Sequence, residues 1–204
     1  MTKEYLRSEL HGLLSSIDKT GKWHPTLLDH VLESVINSVY FQVHAQNPKA
    51  LGQYIKAYSV SSALLVTGPG RYGLSIPATL VPLPDKRGGV RSLRSSLGLS
   101  VYFVPITHQE LALMEDSQAD NLITTSPSVI YYAVHEDVID FKNMTATIAA
   151  APFYLDLLVA FTSLTDTDEV PLPYGKNMEI LKMALEILGV VSPKDLLDNN
   201  SDVK

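Results

Sequence analysis

The residues in this chain with the means to do chemistry are six histidines and a few charged clusters. His11, His24, His30, His44, His108 and His135 are scattered, and none forms an HExxH or comparable ligand pair on one helical face. His30 and His44 fall off the apolar stripe of their predicted helix and are expected in solvent. His135-Glu136 spells half a metal motif, but it lies in a predicted hairpin turn. Together with Asp137 and Asp140, His135 makes up the clustered candidate for a hydrolase site, because such sites are assembled in space rather than in sequence. Asp166, Asp168 and Glu169 could bind calcium or form a solvated acidic loop. Asp18 to Lys22 reads as a turn, since the later oxygen ligands and closing Glu of a calcium loop are missing.

Other chemistry is excluded by composition or context. There is no cysteine, which removes disulfides, thiolate nucleophiles and cysteine-based zinc or iron–sulfur sites. Neither a GxSxG elbow nor a Walker A sequence is present. Gly68-Pro69-Gly70-Arg71-Tyr72-Gly73 spells GxGxxG after an apolar stretch, as the dinucleotide fingerprint requires. That fingerprint works by placing a pyrophosphate on a helix N-terminus, and Leu74-Ser75-Ile76-Pro77 is no helix start. A glycine-rich turn entering a strand is the expected structure. Asn143-Met144-Thr145 matches a glycosylation sequon without a secretory context. The chain therefore reads as a non-enzyme with no cofactor and no metal.

A formal charge of −6 argues against a general nucleic-acid binder, which would present a basic face. The most basic stretch is Lys86, Arg87, Arg91 and Arg94, around the Asp85-Lys86-Arg87-Gly88-Gly89 turn. It is either a solvated hairpin tip or a contact for an acidic neighbouring subunit or phosphate.

The elements that must position these groups are of two kinds. With 204 residues, 46% hydrophobic, the chain can bury one substantial core, and it is expected to form a single unit of two layers. Residues 1–58 and 174–190 make a helical layer, residues 60–170 a β-rich layer, and residues 191–204 a mobile tail. Thr2 caps a helix through Leu6, Leu10, Leu13, Leu14 and Ile17. Pro25 opens the clearest helical period, from Leu27 to Val43, with Asp29, Glu33, Asn37 and Gln42 on the opposite face. Asn47-Pro48 ends it, and Leu51, Tyr54, Ile55 and Tyr58 suggest a further helical turn or two. Strands are predicted over 62–67, 74–83, 90–97 (pairing with 74–83), 99–104, 129–134, 138–141, 145–150 and 153–161. Thr107 caps a short helix through Leu111 and Met114. Val170-Pro171-Leu172-Pro173 then stops the sheet and leads into an apolar helix through Met178, Leu181, Leu185 and Leu188, with Gly189 as its C-cap. The fold class is α+β, with N- and C-terminal helices packed together and an antiparallel meander or sandwich between them. No apolar run reaches the roughly 18 residues of a membrane span. The charged N-terminus lacks a signal-peptide core, so the protein is expected to stay in the compartment where it is made.

The order of these parts resembles the ring or adaptor proteins below the portal of short-tailed bacterial viruses, particularly those of the crAss-like phages. The resemblance rests on the N-terminal helix pair, the Ile76-Pro77-Ala78 to Leu83-Pro84 arm and the Gly88-Gly89-Val90-Arg91 hairpin. It continues through Val104-Pro105-Ile106, the Tyr131-Tyr132 strand leading to Val138-Ile139-Asp140-Phe141, and the Val170-Pro171-Leu172-Pro173 entry to the closing helix. What it implies is a structural virion protein, assembled in the host cytoplasm into a dodecameric ring that joins capsid to tail and extends the DNA channel. Its partners would be further copies, the portal protein and other tail proteins, with DNA passing unread and no membrane involved. The tail and the Gly68–Gly73 turn match no feature of that family. A non-viral homo-oligomeric interaction module and a hydrolase are the competing readings.

Overall fold

In a computed structural model the described residues are 1–17, 23–61, 65–68, 71–98, 101–116, 129–172 and 175–190. They form an α+β fold in two compact units. Met1–Tyr54 joins the chain from Ala160 onward in a helical unit, and Ile55–Val159 forms a sheet unit. The sequence reading of one unit, layered at 58/60 and 170/174, differs from this division. Ala160 to Val170 carries no helix signal, yet it belongs with the helices.

In the helical unit, α1 (Lys3–Ile17), α2 (Pro25–Gln46) and α5 (Asn177–Ile187) pack on one another. Their stripes meet as the periodicity requires. Leu6, Leu10 and Leu14 are buried with Leu28, Val31, Leu32, Val35, Ile36 and Val39 of α2 and with Ile180, Leu181, Ala184 and Leu185 of α5. Each buried Val, Leu or Ile among these stabilises the fold by roughly 1.5–3 kcal/mol. The Tyr5 amide donates to the Thr2 hydroxyl at 3.3 Å, so Thr2 does cap α1. The His24 imidazole caps α2 by accepting from the Thr26 amide, and Pro25 takes the first turn, where its missing N–H costs nothing. Asn47 ends α2 and caps a 3₁₀ turn over Pro48–Gln53. The helical turns expected through Tyr58 stop there, because strand β1 begins at Lys56. Tyr40 is buried, and its hydroxyl donates to the Pro171 carbonyl at 2.9 Å. Burial, reinforced by Tyr54, pushes its phenol well above the usual range. Gly189, at φ 69°, closes α5 in the left-handed conformation glycine tolerates. Residues 191–204, expected to be mobile, lie outside the described residues.

The sheet unit holds two sheets. One is antiparallel, in the order β1 (Lys56–Val60), β8 (Phe153–Leu157), β4 (Val90–Ser95). The other runs β2 (Leu65–Gly68), β3 (Arg71–Ser75), β7 (Val138–Lys142), β6 (Val129–His135), β5 (Tyr102–Pro105). Phe141 of β7 stacks on Phe153 of β8 at 5.8 Å, and Phe103 packs edge-on to both at 6.1 Å, so one aromatic cluster joins the two sheets.

Four strand expectations are corrected. β4 pairs with β8 and not with 74–83. Phe153, Leu155 and Leu157 are all buried, so β8 is best covered as a central strand with a partner on each side. Beyond Ser75 the arm keeps a single bridge, Leu80 to Val159, because Pro77, Pro82 and Pro84 cannot donate to a ladder. The second correction is that β5 runs parallel to β6, with α3 (His108–Asp116) between them in sequence, so this part of the sheet is not an antiparallel meander. Third, 145–150 is a short helix, α4 (Ala146–Ala149), with the Thr145 hydroxyl accepting from the Ile148 amide. Fourth, 153–161 stops as a strand at Leu157. The strand expected over 62–67 is β2, and residues 62–64 lie outside the described residues.

Candidate functional site

The basic turn is held tightly by backbone geometry. The Gly88 amide donates to the Asp85 carbonyl at 3.1 Å and the Val90 amide to the Arg87 carbonyl at 2.9 Å, with Gly88 at φ 53°. Gly89 has no room for a side chain. A Cβ there would lie 2.7 Å from the Leu80 Cβ and 2.9 Å from the Leu158 carbonyl oxygen, and the Gly89 carbonyl accepts from the Leu158 amide at 2.8 Å.

The cations of this turn are largely engaged within the chain. Lys86 reaches Glu110 at 2.6 Å, Arg91 reaches Asp85 at 3.1 Å, and Arg94 reaches Asp156 at 3.3 Å. Arg91 is the buried member, its side chain 10% exposed, whereas Arg94 is 65% exposed. Arg87 is exposed and has no ion pair among the described residues. The patch therefore carries little uncompensated charge.

Glu110 does two jobs. Thr107 caps α3, its hydroxyl accepting from the Glu110 amide at 3.1 Å, while the Glu110 carboxylate accepts from the Thr107 amide at 2.7 Å. This is a reciprocal capping box, and Lys86 docks onto the same carboxylate. The Lys86 hydrogen bond, followed by the Thr107 amide, lowers the Glu110 carboxyl from 4.5 to about 2.

Of the hydrolase candidates, His135 and Asp140 share one sheet face by register, and Asp137 lies in the turn between their strands. His135 is the last residue of β6, and Asp137 sits in the two-residue turn that follows, with Glu136 at φ 50°. The Asp137 carbonyl accepts from the Ile76 amide at 2.7 Å. Asp140 stands opposite Ala133, on the sheet face where Ala133 packs with Ile106 and Leu111. His135 instead meets His108, with ring centroids 5.0 Å apart. His30 is exposed as expected, but His44 is half-buried. No group of three or more His, Cys, Asp or Glu suited to a metal occurs among the described residues. The GxGxxG stretch turns β2 into β3, a strand where a nucleotide site would need a helix. Pro69 and Gly70 lie outside the described residues.

Among the described residues the most buried charge cluster is one that the sequence reading does not anticipate. Lys3 is 5% exposed, and its ammonium donates to the carbonyls of Leu164 at 3.0 Å and Thr162 at 3.3 Å. It also pairs with Asp29 at 3.4 Å and lies over the Phe161 ring. Arg7 bridges Asp29 at 3.2 Å and Asp166 at 2.8 Å. Burial disfavours the Arg7 charge, but Asp166 and Asp29 outweigh it and raise its pKa. Asp29, expected on the polar face of α2, is thus a counter-ion in this cluster. The loop expected as solvated or calcium-binding is a staple: Asp166 holds Arg7, Asp168 accepts from the Thr165 amide, and Glu169 bridges to Thr2. A signal for this existed, since Lys3 and Arg7 continue the Leu10 and Leu14 stripe at helical spacing.

Comparison with known proteins adds no assignment. No protein-family model matches this chain, and neither does any curated protein sequence. A groove of about 240 Å³ is lined by Arg7, Ser8, His11, Gly12, Pro25 and Leu28. Its one strong cation among these, Arg7, is already paired with Asp29 and Asp166. No helix among the described residues is long and apolar enough to cross a membrane.

Proposed function

We propose that this protein is a structural subunit of a tailed-virus particle, one copy in a ring below the portal that joins capsid to tail and extends the DNA channel. The observation that carries the reading is the internal pairing of the basic turn. Lys86, Arg91 and Arg94 each face a carboxylate of the same chain, in a protein of net charge −6. Affinity for duplex DNA grows with the number of phosphates that Lys and Arg neutralise, so such a surface lets DNA pass with little adhesion. The edge strand β5 exposes Tyr102 and Val104, which suits contact between copies.

The pairing also sharpens the test. Arg91 is buried against Asp85 and its reversal would disturb folding, whereas Arg87 and Arg94 are exposed. The double variant Arg87→Glu, Arg94→Glu should keep the wild-type circular dichroism spectrum while weakening ring formation seen by light scattering and negative-stain imaging. Unchanged rings would remove the turn from the interface. A small closed oligomer of the wild type would favour a non-viral interaction module instead.

A further inference from the structure

Two histidines far apart in sequence meet at the end of an inner strand of the five-stranded sheet. His108 is the first residue of α3 and His135 the last of β6; both are exposed, with ring planes inclined by 31° and centroids 5.0 Å apart. We propose that they form a two-imidazole site for a borderline divalent metal ion such as Zn²⁺, a property independent of ring assembly.

The separation is the argument. With a metal–nitrogen bond of about 2.0–2.1 Å, each ring centroid lies about 3.2 Å from the metal, and a tetrahedral angle then sets two centroids about 5.2 Å apart. The observed 5.0 Å is close to this, and the ring planes are inclined by 31°. Both ligands stand on fixed elements. The Thr107–Glu110 capping box holds the start of α3, and the two-residue turn after His135 holds the end of β6. A cation at a helix N-terminus meets the positive end of its dipole. Glu136 and Asp137, in the adjoining turn, supply compensating charge. Among the described residues no third side chain joins the two imidazoles. Binding would tie the start of α3 to the end of β6.

The test uses the whole chain and Zn²⁺ alone. Calorimetry in a non-chelating buffer should show one saturable site per chain, and the imidazole NMR signals of His108 and His135 should move while those of the other four histidines stay. His108→Gln and His135→Gln should each weaken binding by at least about tenfold, and His11→Gln should not. No saturable binding, or ring shifts centred on other histidines, would overturn the assignment. The NMR readout needs no substitution, so a variant that failed to fold would not decide the matter.

Discussion

The two units use the same chemistry to different ends. In the helical unit Lys3, Arg7, Asp29 and Asp166 form a largely buried ionic cluster that fastens the start of α1 to the loop before α5. In the sheet unit Lys86 and Arg94 form pairs at the surface that quench a basic turn. A buried charge that loses its partner is left without solvent, whereas an exposed one is rescued by water. The first arrangement therefore bears on stability, and the second on what the surface attracts.

The sharpest break in that comparison is Asp29→Ala. It leaves Arg7 paired with Asp166 and Lys3 with its two carbonyl acceptors but removes the carboxylate they share, and should cost about 3 kcal/mol, read as a lower midpoint in urea. A loss comparable to that of a surface pair would show the cluster to be well hydrated. Gly89→Ala comes next, because its Cβ would collide with Leu80 and the Leu158 carbonyl; about 1–3 kcal/mol is expected in the same assay.

Glu110 supplies a pH test. Its carboxyl is depressed in the folded state, so its contribution is present above 4.5 and is lost as pH falls towards about 2. Across that window the thermal midpoint of the wild type should fall more steeply than that of Glu110→Gln. Parallel curves would mean that the capping box and Lys86 do not stabilise the carboxylate. The smallest effect belongs to Arg94→Ala, at about 0.5 kcal/mol or less, since Arg94 itself is largely exposed to solvent in its pair with Asp156.

These contrasts also explain what could be read from the chain. The three long helices were legible because Leu10, Leu14, Leu32, Ile36, Leu181 and Leu185 repeat at helical spacing and are buried where the helices pack. Long-range strand pairing was not. Nothing local to Val90–Ser95 says that its neighbour is Phe153–Leu157 and not the nearer arm. Residues 145–150 misled because apolar β-branched and small residues suit strand or helix; Thr145, a ready N-cap, was the clue that decided it. The basic turn could be located, but its neutralisation depends on Glu110 and Asp156, which the fold brings from elsewhere. The same holds for the His108–His135 pair, which no spacing rule anticipates.

The most direct test of the structural role is the mass and symmetry of the complex formed when the purified protein meets a candidate portal protein, by light scattering and electron imaging. The account predicts a closed ring of many copies on the portal, with the chain folded before and after. A monomer or dimer that ignores the portal at every concentration tried would contradict it.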